Sequence, residues 1–439
     1  MTNSATDTVV IAGTGQAGFQ TAASLRDADY PGRVVLVGDH HLPYQRPPLS
    51  KAFLEGLVSL SQLAFRPQDY FQRHDIEVIR GPVTGFDRRR RTAELDGHCE
   101  IDYDHLVLAT GCRARRPGVP GEDLGGVHYL RDLDDAQRLT EHLSRVERLV
   151  VVGAGFIGLE VAAVALKRGV EATVLEFAPR AMGRAVSQFM GDFFIARHRA
   201  AGNRLDLNTG VREFVDDGTG HVAAVVTSTG EKLSADLVVV GVGVQPNTEV
   251  AERAGLTVDN GVVVDEFLRS VDDPDVSAVG DCSRFIEVTS GSLVRLESVQ
   301  NAVDQARCVA TRLAGTAVAY NALPWFWTDQ LGMKLQIAGL TAGHDRTEVV
   351  GDVSGVRFSV YCFSGNHLLG VESVNRPADH LAARRLLTAD GERLASITPG
   401  VVRAPGFSLR DHQAGERGAD RATTGPATRE PAGKAEQGG

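Results

Sequence analysis

The 439-residue chain has only five cysteines, Cys99, Cys112, Cys282, Cys308 and Cys362, spaced so that no C-x-x-C or C-x-x-x-x-C pair occurs. That spacing encodes neither a metal cage nor a local dithiol and leaves reduced bystander thiols as the reading. No apolar run approaches the roughly 18 residues that cross a bilayer. The start, "MTNSATDTVVIAG", enters a strand with no basic n-region or cleavage site, so a cytoplasmic location is expected, with no membrane partner. Positive charge is in deficit: a net charge of −10 argues against a nucleic-acid partner. After Leu409 no aliphatic or aromatic residue larger than alanine appears, and the segment 404–439 is expected to be a disordered tail.

What the chain does have is glycine, 48 residues of it, and one pattern written twice. "TVVIAGTGQAGFQTAASLRDA" and "RLVVVGAGFIGLEVAAVALKRG" each give a short apolar strand, a glycine turn and an alanine-rich helix. Each continues to a further strand, "VVLVGDH" and "EATVLEF", as a parallel β-α-β unit requires. "HLVLATGCRARRPGVPG" is a strand stopped by glycine and proline, a hinge out of the first unit, and "ADLVVVGVGVQPNTE" ends the second. "VSAVGDCSRF" and the helix-forming "VQNAVDQARCVATRLAG" return to the first unit. From 324 onward, strand-like runs such as "LQIAGL" and "FSVYCF" form a separate unit. The expected fold class is α/β, two Rossmann-like dinucleotide-binding domains plus a C-terminal α+β domain. The boundaries are 7–114 and 246–322 for the first domain, 115–245 for the inserted one and 323–403 for the last.

In the first turn Gly13, Gly15 and Gly18 stand in G-x-G-x-x-G spacing after a strand, with Asp39 about 20 residues on, where a carboxylate holds a ribose hydroxyl. The second turn repeats this with Gly153, Gly155, Gly158 and Glu176. Missing side chains there let a pyrophosphate approach the backbone and the helix N-terminus. Two dinucleotides in one chain imply electron transfer between them, most simply from a nicotinamide to a flavin. Asp281 in "AVGDC" offers a further polar anchor that suits the ribityl chain of FAD, so FAD is assigned to the first turn. Glu176 stands where an NADP 2′-phosphate would sit, which favours NADH, and Arg180 nearby softens the preference.

"LPYQRPPLSK", "LVLATG", "YLRDLDDA", "GAGFIGLEVA", "GVGVQPN", "LESVQNAVDQAR" and "PWFWTDQLGMKLQIAGL" together resemble the ferredoxin reductases of the putidaredoxin reductase and ring-hydroxylating dioxygenase reductase type. These belong to the glutathione reductase-like superfamily, in which apoptosis-inducing factor is more distant. The resemblance covers about residues 7 to 403. It implies an FAD flavoprotein that takes hydride from NADH and passes single electrons to an acidic [2Fe-2S] ferredoxin, which feeds a cytochrome P450 or an oxygenase. It also implies Ala17 and Asp39 at the FAD pyrophosphate and ribose, Lys51 beside the flavin ring and Val83 against the adenine. Arg131 falls near the flavin, Asp281 on the ribitol and Val299 at the pyrimidine edge. Glu160 falls near the nicotinamide carboxamide and within reach of Lys51, and Trp327 stacks at the flavin edge. Gly243 of "GVGVQPN" joins the cofactor-binding set, and Lys51, Glu160 and Trp327 are the candidate catalytic residues. Arg307 is the expected docking residue for the ferredoxin, with Arg312 and Lys334 as weaker additions.

The missing dithiol fits this reading, because a pair of thiols beside the flavin would drain both electrons of a hydride into a thiol product, whereas a cluster accepts one at a time. Duller readings remain for single residues. Lys51 is equally a loop lysine on spacing alone, Glu160 an ordinary helix residue, and Trp325 and Trp327 core fillers. The run Arg88 to Arg91 reads as a solvated turn. Two other functions are carried as alternatives. One is an NADH oxidase or peroxide-reducing flavoprotein, and the other a redox-sensing interaction protein.

Overall fold

The runs "TVVIA" and "RVVLVG" lack polar alternation, as strands covered on both faces do. They form Thr8–Ala12 and Arg33–Gly38, paired in parallel with Thr8 opposite Arg33. The computed structural model describes residues 7–39, 42–96, 99–288, 290–388 and 391–412. The first sheet has six strands in the order Arg269–Ser270, Asp273–Ala278, His105–Leu108, Thr8–Ala12, Arg33–Gly38 and Ile76–Arg80. All its pairings are parallel except that of Arg269–Ser270. Its fourth parallel neighbour, Asp273–Ala278, comes from the far side of the inserted unit, so two distant chain segments share one core.

The second sheet is wholly parallel, in the order Arg204–Leu207, Glu171–Glu176, Arg148–Val152, Leu237–Val240 and Val127–Tyr129. The chain passes from the first unit to the second through Cys112–Ala114 and returns through Val244–Pro246, and these two short strands pair antiparallel with each other. The stop that the sequence reads as a hinge is therefore a two-stranded crossing.

The last unit is a five-stranded antiparallel sheet in the order Trp325–Gln330, Met333–Gly339, His367–Val374, Arg357–Ser364 and Arg346–Asp352, covered by the helix Pro377–Leu387. Its apolar core extends further along the chain than the sequence reading allows. Leu409 is buried with Tyr361, Phe363 and Ile397, and Phe407 packs against them edge to face with Tyr361. The segment expected to be tail from 404 is thus packed through Leu409, because those two large apolar side chains have a core to join; residues 413–439 lie outside the described residues. Among the described residues no helix is long and apolar enough to cross a membrane.

Candidate functional site: a two-nucleotide cleft

Both glycine turns are built by close backbone approach. Gly13 sits at φ +122°, and a Cβ there would lie 2.2 Å from the Ala109 carbonyl oxygen; Gly153, at φ +104°, would meet the Gly241 oxygen at 2.4 Å. Side chains on Gly18 and Gly158 would strike the oxygens of Gly13 and Gly153, so these two let each helix lie down on its turn. The middle glycines differ: Gly15 and Gly155 face open space. They are the N-caps of Gln16–Asp27 and Phe156–Lys167, and neither helix end receives a side-chain cap. Free N–H groups and the positive end of the helix dipole at both places suit a pyrophosphate.

Both turns open into one cleft of 1680 Å³. A single drug-sized ligand occupies roughly 300–1,000 Å³, so the space fits two dinucleotides better than one. Gly13, Gly15, Ala17, Asp39 and Lys51 line it from the first unit, with Asp281 and Val299, and Arg131 joins them from the inserted one. Gly153, Gly155, Glu160, Glu176 and Gly243 line it from the second, and Trp327 from the third. Asp39 and Glu176 end or follow corresponding strands, and Glu176 accepts from the backbone N–H of Ala154 at 2.7 Å and of Ala178 at 2.8 Å. Both of its oxygens are thereby fixed over the second turn.

Where the three units meet, the prolines of "RPPLSK" start a 3₁₀ turn, Pro47–Ser50, that delivers Ser50 and Lys51 to the cleft floor. Lys51 Nζ lies 2.8 Å from Glu160 Oε2. The Ser50 hydroxyl donates to the same oxygen at 2.5 Å, and the Thr328 hydroxyl donates to Oε1 at 2.5 Å. A carboxylate only 3% exposed is tolerable here because a cation and two hydroxyls satisfy it. Phe156 and Phe326, with ring centroids 4.5 Å apart, and Trp327 give the neighbouring wall an apolar surface.

A second polar cluster lies at the first turn's end of the cleft. Arg131 Nη2 is 3.1 Å from Asp281 Oδ2, and its Nε donates to the Cys112 carbonyl at 2.7 Å. The Cys112 thiol donates to Asp281 Oδ2 at 3.1 Å; burial, then the Asp281 charge, raises its pKa. Burial likewise raises Cys282, Cys308 and Cys362, so these four thiols stay protonated and poorly nucleophilic. All five cysteines are free. Arg46 also lines the cleft, its pKa lowered by burial and then by the Arg131 charge. Arg46 is not among the residues expected from the sequence; its place directly before the two prolines of "YQRPPLSK" was the available signal.

Some expected residues lie elsewhere. Val83 does not line the cleft: it pairs with Leu95 in a small antiparallel sheet and packs on the first core. Arg307 is outside the cleft, on the helix Val299–Leu313, with a 62% exposed side chain held loosely by Asp304 at 3.6 Å. Arg312 on the same helix turns inward to Ser277 Oγ at 2.6 Å and His105, so it is not part of a docking face. Lys334 is exposed. Arg88 to Arg91 form a turn, but Arg88 and Arg91 pair with Asp273 and Asp275 and so brace the sheet rather than stand free in solvent. Trp325 is covered by Arg384, whose guanidinium carbon is 4.5 Å from the ring centroid, and meets His380 edge to face.

Comparison with known proteins agrees with this architecture. Residues 7–306 match the pyridine nucleotide-disulphide oxidoreductase family and residues 325–412 the reductase C-terminal family. The chain is 50% identical over 404 residues to rhodocoxin reductase from Rhodococcus erythropolis, covering 92% of this chain and 93% of that one. The structure of the ferredoxin reductase for the CYP199A2 system from Rhodopseudomonas palustris superposes with a TM-score of 0.89 at 48% identity, over 92% of this chain and 99% of that chain. The reductase in the covalent putidaredoxin reductase–putidaredoxin complex also gives 0.89, at 38% identity, over 94% and 99%. With a glycine turn for each of two dinucleotides and the reductase-type third domain beside them, the chain belongs to the FAD- and NAD(H)-dependent ferredoxin reductases of the putidaredoxin reductase type.

Proposed function

We propose that this protein carries electrons from NADH, through FAD, to an acidic [2Fe-2S] ferredoxin that supplies a cytochrome P450 or a ring-hydroxylating oxygenase in the cytoplasm. The observation that carries the reading is the junction of Lys51, Glu160 and Trp327 between the two glycine-turn halves of one cleft. When bound, FAD supplies a ring that accepts the hydride of NADH and releases the electrons singly.

The side chains bind and orient. Gly13, Gly15 and Ala17 would receive the FAD pyrophosphate on the first helix end, which Gly18 lets lie against the turn, and Asp39 would take the adenosine ribose. Arg131, Arg46 and Asp281 would hold the ribityl end, with a local excess of positive charge that would favour negative charge on the flavin. The helix starting at Val299 presents its N-terminal N–H groups to the same end. Gly153, Gly155 and Gly243 would receive the NADH pyrophosphate, with Gly158 letting the helix lie against the turn, Glu176 would take its ribose hydroxyls and Glu160 its carboxamide. Trp327, Phe326 and Phe156 would keep water from the bound rings. Hydride transfer between stacked rings would need no side-chain acid or base, and the protonated thiols of Cys112, Cys282, Cys308 and Cys362, all but Cys308 buried, suit a site without a sulfur relay. Arg307, with Lys334 as a weaker addition, supplies positive charge for the acidic partner. Five unpaired cysteines suit a reducing compartment.

A cytochrome c reduction assay with NADH or NADPH, with and without a panel of [2Fe-2S] proteins, tests this. Activity should require both NADH and a ferredoxin. Rapid NADH consumption with oxygen or peroxide and no carrier would point to an oxidase instead.

A further inference from the structure

Glu160 is the end of a buried hydrogen-bonded series that runs away from the cleft. Thr328 Oγ1, which donates to Glu160, accepts from Gln330 Nε2 at 3.1 Å. Gln330 Oε1 is 3.1 Å from His198 Nε2, and His198 Nδ1 is 3.0 Å from Asn203 Nδ2. Every member is at most 3% exposed. Burial pulls the His198 pKa down, so its imidazole is neutral and carries one proton.

Chemistry fixes the direction of the series. A carboxylate facing Lys51 can only accept, so the Thr328 proton must point at Glu160. Its oxygen is then left to accept from the Gln330 amide N–H, which turns the Gln330 carbonyl toward His198 and requires the proton on His198 Nε2. The bare Nδ1 accepts in turn from Asn203. Reversing any one link would set two donors or two acceptors face to face in a buried interior. Two amides in the series cannot pass a proton onward as a hydroxyl or imidazole can, so the array holds a group in place rather than moving charge.

We infer that Thr328, Gln330 and His198 form a one-way array by which the C-terminal sheet and the helix Gln188–Ala201 fix the Glu160 carboxylate toward the nucleotide, with Thr328 as a positioning residue of that site. The inference rests on the reading that Glu160 meets the nicotinamide end of NADH. The third domain is then part of the nucleotide site as well as a cover for it.

Thr328→Val removes the donor at constant shape, and Thr328→Ser restores it. With FAD-loaded protein, NAD⁺ binding by calorimetry and NADH steady-state kinetics should show Kd and KM raised about tenfold by Thr328→Val, with kcat within about twofold. Thr328→Ser should return both constants to near wild type. In ¹⁵N-histidine-labelled protein, the resonance lost in His198→Gln should be that of a neutral Nε2–H tautomer. A weakened Glu160→Gln variant beside an unchanged Thr328→Val variant overturns the array while leaving the site reading intact, as does an Nδ1–H tautomer. Should Glu160→Gln leave NAD⁺ binding unchanged, the site reading falls and the positioning role with it.

Discussion

Gly13 and Gly15 stand two residues apart and should fail in different ways when given a side chain. Gly13→Ala forces a methyl into the Ala109 carbonyl from a left-handed backbone, so loss of soluble folded protein is expected. Gly15→Ala meets nothing in the protein and keeps an ordinary φ of −71°, so the chain should fold with an unchanged melting temperature. Its methyl would stand where the pyrophosphate approaches, and the flavin content of purified protein should fall several-fold. Glu176→Ala should lower the NADH-to-NADPH ratio of kcat/KM by about tenfold, since one carboxylate that would repel a 2′-phosphate is gone; an unchanged ratio removes that role. At this scale the glycines and acidic strand ends were legible because their spacing is local. Ser50 and Thr328 were not, because a hydroxyl 110 or 168 residues from its carboxylate leaves no trace in the sequence. Arg312 was misplaced because the helix face decides where it points.

Helix Gln188–Ala201 shows what an element adds. Its N-cap residue, Ser187, gives both its N–H and its hydroxyl to Glu372 of the C-terminal sheet, at 2.5 and 2.6 Å, while its far end is tied through His198 to Gln330. The third unit thus grips the helix twice. Burial raises the Glu372 pKa from 4.5 to about 7, against the lowering effect of the Ser187 donors. A carboxyl that is easier to protonate folded than unfolded contributes stability that is fully present below pH 4.5 and is lost as pH rises through about 7. Thermal melts of wild type and Glu372→Gln across that range should therefore diverge. Wild type should lose a few degrees relative to the variant as pH increases, and parallel curves would show that Glu372 does not titrate there. The sequence marked this region as a separate strand-rich unit without indicating its reach. Phe407 and Leu409 belong to its core, and only contact with Tyr361 and Phe363 makes that evident.

For the whole molecule, the net charge of −10 and the expectation of an acidic partner pull in opposite directions, so binding must depend on local positive charge. Arg307→Glu should raise KM for the ferredoxin roughly tenfold and leave NADH-to-ferricyanide activity unchanged. An equal loss in both assays would place Arg307 in the nucleotide half of the cycle instead. The two-unit plan was readable from the doubled glycine motif, and the return of the chain to its first sheet from "VSAVGDC". The paired crossing strands at Cys112–Ala114 and Val244–Pro246 were not, because three-residue strands carry no periodicity of their own. The most direct measurement is the anaerobic stoichiometry of ferredoxin reduction by NADH, followed in the cluster absorbance with catalytic FAD-loaded protein. The expected result is two [2Fe-2S] ferredoxins reduced for each NADH consumed, with the visible flavin band bleached by NADH alone when ferredoxin is left out. A protein that retains no flavin after reconstitution, or that consumes NADH without reducing any ferredoxin, would contradict it.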